Sequence, residues 1–183
     1  AGCASERASE NKQYILPEMS AARLTAPEAA VLIVNTELSE HLNQRGLVYR
    51  TSNTEIVQAQ HNLWAQGIKK QLNRRIVSGL LARQSLYWPV EANAALDLTN
   101  KPQLQVHLQR FNGVYTGLAE LAGEWQLING SGQIVANEHF YIEVPLAEPG
   151  YPALVAALST GLEQLTGEIA KALGNIKHIK RSN

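Results

Sequence analysis

Two segments of this chain repeat apolar residues at helical spacing, and any fold open to it must bury both stripes. The first runs Trp64, Ile68, Leu72, Ile76 and Leu80; the second runs Leu154, Leu158, Leu162, Leu165, Ile169 and Leu173. Such spacing puts one side of an α-helix against a core. Asn62 offers an N-cap for the first helix, and Gly174 marks the end of the second. The cations Lys69, Lys70, Arg74 and Arg75 fall mostly on other faces of the first helix, where they form a basic surface.

The rest reads as strands. Ala30 to Val34 is a continuous apolar run rich in β-branched residues, the pattern of a central strand buried on both faces. Leu47–Thr51 and Glu55–Ala59 flank the polar turn Ser52-Asn53-Thr54 and predict a hairpin. Tyr14-Ile15-Leu16 before Pro17 reads as a short edge strand, because proline lacks the amide donor a central strand needs. A loop with Pro27 follows. Ser85 to Val90 reads as a strand stopped by Pro89, and Ala92 to Pro102 as a surface loop carrying Asp97. Leu104, Val106 and Leu108 alternate with polar neighbours; the phase then slips at Phe111-Asn112-Gly113, which predicts a bulge or bend around Gly113 before the chain resumes at Tyr115. Leu121, Gly123, Trp125 and Leu127 share one face, and Asn129-Gly130-Ser131-Gly132 is a turn signal leading into Gln133–Val144, giving a long hairpin. Strands, helix, strands, helix is the order of a single α+β domain over residues 13–176, with a mainly antiparallel β-sheet and two long amphipathic helices packed on one face. A polar tether, residues 1–12, precedes it, and a basic tail, residues 177–183, follows.

Formal net charge is zero, so the chain lacks the positive field that nucleic-acid binding requires. No apolar run approaches the roughly 20 residues of a membrane-spanning helix. The single cysteine, Cys3, sits in Ala1-Gly2-Cys3-Ala4-Ser5, which resembles the end of a bacterial lipoprotein signal. On that reading Cys3 is the lipid anchor, the stretch Ala4 to Lys12 beyond it spans about 30 Å at full extension, and Ala4, a residue other than aspartate, implies release to the outer membrane. Two or more acyl chains are needed for a stable hold.

Chemistry is thinly represented. Gly130-Ser131-Gly132 lacks the Gly-x-Ser-x-Gly pattern and joins two strands, so a small envelope hydrolase using Ser131 with a strand histidine such as His139 is a rival reading with little support. His41, His61, His107, His139 and His178 are scattered and make no His-x-x-x-His pair, although His107 and His139 lie on strands that can face one another. No phosphate-cradling glycine loop occurs, so neither metal nor cofactor is expected. Lys69, Lys70, Arg74 and Arg75 are candidate contacts for an acidic partner or anionic headgroups. Trp64, Trp88 and Trp125 suit a core, or the groove of a stand-alone lipid carrier.

Several strings together resemble the ABC-type transport auxiliary lipoproteins, in their PqiC-like intermembrane transport branch. Gly46 to Ser52 looks like that family's first hairpin, Asn62-Leu63-Trp64-Ala65 like its helix start, Phe111-Asn112-Gly113 with Tyr115 like its bend, and Gly123-Glu124-Trp125 with Leu127 completes the set. The likeness runs from about Tyr14 to Ile169. Gly67 departs from it, since the family usually has proline there. The resemblance implies no catalytic residues. It implies a lipidated Cys3, outer-membrane anchoring on the periplasmic side, and partnership with an MCE-domain transport protein and its inner-membrane component in moving lipids. A homo-oligomer would suit contact with a symmetric conduit.

Overall fold

The computed structural model describes residues 10–19 and 28–176. Within them eight strands form one sheet: β1 (Lys12–Tyr14), β2 (Ala30–Leu38), β3 (Gly46–Arg50), β4 (Ile56–Trp64), β5 (Tyr87–Glu91), β6 (Gln103–Val114), β7 (Leu118–Ile128) and β8 (Ile134–Pro145). Helices α1 (Ile68–Arg83) and α2 (Tyr151–Asn175) follow β4 and β8.

The sheet is organised by β6. Along one edge it pairs antiparallel with β7 through eleven partners, and β7 pairs with β8 through eleven more. Its other edge is shared. β2 runs parallel to its first half and β3 to Gly113 and Val114, so the sheet forks into a β2–β5 branch and a β3–β4–β1 branch. The two longest ladders, β6–β7 and β7–β8, are antiparallel, as the alternating patterns require; the parallel pairings at the fork leave no such local mark. β2 is bonded on both edges and Leu32, Ile33 and Val34 are buried, which accounts for its unbroken apolar run.

α1 lies against β2 and β5, α2 against β6, β7 and β8, and the helices touch each other, which only helices on the same face can do. They approach closely where Gly79 faces Thr166, since a Cβ at Gly79 would crowd the threonine side chain. One continuous core fills the space between helices and sheet, with Leu72, Ile76, Leu104, Leu121, Leu158 and Leu165 all at 0 or 1% exposure.

Four expectations are corrected. α1 starts at Ile68 with Gly67 as N-cap, whereas Asn62, Leu63 and Trp64 end β4. Asn62 accepts a hydrogen bond from the Tyr14 hydroxyl at 2.9 Å, and Trp64 packs on Phe111 with ring centroids 6.2 Å apart. Trp64 joined the helical stripe in sequence only because an inward strand residue happens to precede Ile68 by four positions. Gly67 has φ −50° and nothing within 4 Å of a built Cβ, so the backbone holds the shape that proline favours. Pro89 lies inside β5, which tolerates it because β5 is an edge strand bonded only to β2. The first edge strand is Lys12–Tyr14, and Leu16 has already left the sheet to donate its amide to Gln71 Oε1 on α1. The bulge in β6 falls between Leu108 and Arg110, four residues before Gly113, which pairs regularly with Ala119. Opposite the bulge stands Gly123, where any Cβ would overlap the His107 carbonyl.

Candidate functional site

Cys3 and the basic tail, with Lys177, Lys180 and Arg181, lie outside the described residues, as do the loop with Pro27 and most of the tether. The four candidate cations of α1 have separate fates. Lys69 is tied to Glu37 across 2.9 Å of half-exposed surface, and that hydrogen bond, outweighing slight burial, holds the Glu37 carboxyl below its ordinary value. Lys70 and Arg74 are exposed. Arg75 is only 5% exposed and therefore does not belong to a charged surface. It shares the inward face with Leu72, Ile76 and Gly79, all buried.

There Arg75 Nη1 donates to the Pro17 carbonyl and, at 3.1 Å, to Ser159 Oγ, and Nη2 donates to the Ser159 carbonyl at 3.3 Å. Among the described residues its Nε–H has no acceptor and no carboxylate forms an ion pair with it. Burial, with the charge of Arg83, pulls its pKa below the usual arginine value against the opposing field of Glu163. Beside it, between residues 15–19 and α1, lies a cleft of about 210 Å³ lined by Arg74, Arg75, Ile15, Leu16, Glu18 and Met19 among others.

A second charge is buried on the face of the sheet opposite α1 and α2. Glu120 of β7 is 3% exposed and receives four donors: Arg50 Nε at 3.0 Å, Arg110 Nη1 at 3.3 Å, Asn112 Nδ2 at 3.1 Å and the Tyr141 hydroxyl at 3.0 Å. Burial alone would raise its pKa; the bonds from Asn112 and Tyr141, with the two arginines, overcome that and hold the carboxyl below its usual value. Arg110 also lies 5.8 Å from the centroid of the Tyr141 ring, which is 55% exposed. The cluster leaves no mark in the sequence, because strand alternation places Glu120 outward and its partners come from β3, β6 and β8.

The rival catalytic pair is not assembled. Ser131 sits in the β7–β8 turn with its amide bonded to Asn129 Oδ1, whereas His139 is five residues along β8 from Ile134, about 17 Å of strand. His107 and His139 flank Glu124 on neighbouring strands, and His139 Nδ1 lies 4.0 Å from Glu124 Oε2 at the surface. Among the described residues no group of three or more histidine, cysteine or acidic side chains is placed to hold a metal ion, and no helix is long and apolar enough to cross a membrane.

Comparison with known proteins agrees with the layout. A model of the ABC-type transport auxiliary lipoprotein component matches residues 14–170. The intermembrane transport lipoprotein PqiC of Escherichia coli (strain K12) is 30% identical over 175 residues, covering 94% of this chain and 91% of the relative. A crystal structure of an uncharacterized protein, 28% identical, superimposes with a TM-score of 0.75 over 90% of this chain and 99% of that one. A protein from Xanthomonas campestris, 17% identical, shares the fold with a TM-score of 0.69 and the same coverage.

Proposed function

Because the chain belongs to the ABC-type transport auxiliary lipoprotein family, we propose that it is a non-catalytic lipoprotein of an intermembrane lipid-transport system, held by Cys3 on the periplasmic side of the outer membrane. There it docks an MCE-domain transport protein that connects to an inner-membrane component. The observation that carries this reading is the near full-length match to a named intermembrane transport lipoprotein, with 94% of one chain aligned to 91% of the other. Architecture supports a docking role over a carrier role: the space between helices and sheet is filled by one continuous side-chain core, leaving the work to surfaces.

Anchoring is tested by fractionation. Wild type should sediment with outer membranes and Cys3→Ser should move to the soluble periplasmic fraction; a mutant that still sediments removes the anchor from the model. Docking is tested by co-purification of the MCE partner with the tagged chain from detergent extracts, and its absence under conditions that preserve the transport complex would count against the partnership.

A further inference from the structure

We infer that the cleft between residues 15–19 and α1 binds the anionic headgroup of a single-chain amphiphile, Arg75 and Arg74 meeting the charge and Ile15, Leu16 and Met19 the first methylenes. This deepens the transport reading and rests on it for the choice of lipid probes. Three observations converge on it. Arg75 is a cation 95% removed from solvent; among the described residues its hydrogen-bond acceptors are the neutral oxygens of Pro17 and Ser159, and Glu163 acts on it through its field without forming an ion pair. A charge buried to that degree normally has a counter-ion, since its desolvation costs several kcal/mol. The Nε–H, itself shielded from solvent, has no acceptor among the described residues, whereas a guanidinium serving only as a strut would spend its donors on the fold. And this incomplete cation lines an open cleft rather than closed core, with exposed Arg74 on the same wall.

The rest of the lining selects the ligand class. Ile15 is 52% exposed at the mouth, and Leu16 and Met19 continue an apolar wall. A volume of about 210 Å³ is below the roughly 300–1,000 Å³ of drug-sized sites. It accommodates a carboxylate or phosphate and a few methylenes, not a two-chain lipid. Pro17 and Ser159 fix the guanidinium in advance, so little ordering remains to be done on binding. Glu18 lines the same cleft and makes no ion pair with either arginine. Its carboxylate opposes an incoming anion.

The test uses the full chain carrying Cys3→Ser, purified without detergent and titrated calorimetrically with decanoate, lysophosphatidate, decanol, acetate and inorganic phosphate. Saturable binding of decanoate or lysophosphatidate is expected, with decanol and the two small anions each at least about tenfold weaker, the size of one charge-assisted contact or a short apolar rest. Arg74→Gln should weaken decanoate about tenfold, Ser78→Leu, at a position of α1 that also lines the cleft, should block it while leaving Arg75 intact, and Glu18→Gln should strengthen binding. Decanol binding as well as decanoate would remove the anion site. Phosphate or acetate matching decanoate would reduce it to a site for free anions and overturn the amphiphile. No saturable binding, or binding indifferent to Arg74→Gln and Ser78→Leu, overturns the proposal outright. Any of these failures leaves the transport reading standing, because that reading depends on fractionation and co-purification.

Discussion

Arg75 and Glu120 are the two charged residues buried among the described ones, and the fold treats them oppositely. Glu120, on the face of the sheet opposite α1 and α2, is enclosed by four donors, two of them arginines. Arg75, in the helix layer, has neutral acceptors on its terminal nitrogens and, among the described residues, none on Nε. A satisfied network rigidifies what it joins, here β3, β6, β7 and β8 at one end of the sheet, while an incomplete one leaves capacity for a ligand. Burial of a charge therefore says little about role until its partners are counted.

The comparison is broken most directly at Glu120. Glu120→Ala strands Arg50 and Arg110 beside an emptied site and should cost about 3–5 kcal/mol, read as a lower urea midpoint with unchanged slope. A loss as small as that of an ordinary surface substitution would mean the arginines simply rehydrate. The pH dependence has a fixed sign. Because the folded carboxyl lies below its ordinary value of 4.5, its contribution is complete above that pH and is lost as pH falls through the lower folded value. The stability gap between wild type and Glu120→Gln should accordingly narrow as the solution is acidified below pH 4.5.

Arg75 should behave differently. Arg75→Met removes the charge itself, so no orphan cation remains, and a flexible apolar chain of similar length fills the space. A change within about 1.5 kcal/mol is expected, since exchanging a buried ion for a packed apolar group is often near neutral. Stabilisation by decanoate should vanish in the same variant. A loss as large as that of Glu120→Ala would make Arg75 a structural linchpin of the helix pair and dissolve the contrast.

How much of this was legible in sequence follows from the range of the interactions. The unbroken run of β2, the β3–β4 hairpin and the stripe of α2 are local patterns, although β2 and β4 continue to Leu38 and Trp64, past the Val34 and Ala59 at which the patterns end. The start of α1 was misplaced because Trp64 continues the helical stripe by coincidence while belonging to β4. The sequence shows that a phase slips near Gly113, but a bulge needs both strands to locate it, and Gly123 on β7 is the missing half. Arg75 sits at the right phase to be buried, three positions after Leu72 and one before Ile76, yet arginine is so often a surface residue that phase was overruled by residue type. Glu120 was beyond reach, because Arg50 lies seventy positions away and nothing local announces the meeting.

The smallest expected effect is the most diagnostic of a network. Tyr141 donates its hydroxyl to Glu120 at 3.0 Å, and burial, with hydrogen bonds to Glu143 and Glu120, pushes the phenol up to about 12. Tyr141→Phe keeps the ring beside Arg110 and deletes one donor of four, so about 0.5–1.5 kcal/mol should be lost. Tyrosinate absorbance should at the same time lose one late-titrating phenol. In the Glu120→Ala background the same substitution should cost close to nothing, because the acceptor is already gone; the difference between the two backgrounds is the coupling itself. An undiminished cost in that background would show Tyr141 acting through its own packing, and Glu120 would then be a carboxylate with neighbours instead of the hub that ties β8 to β3.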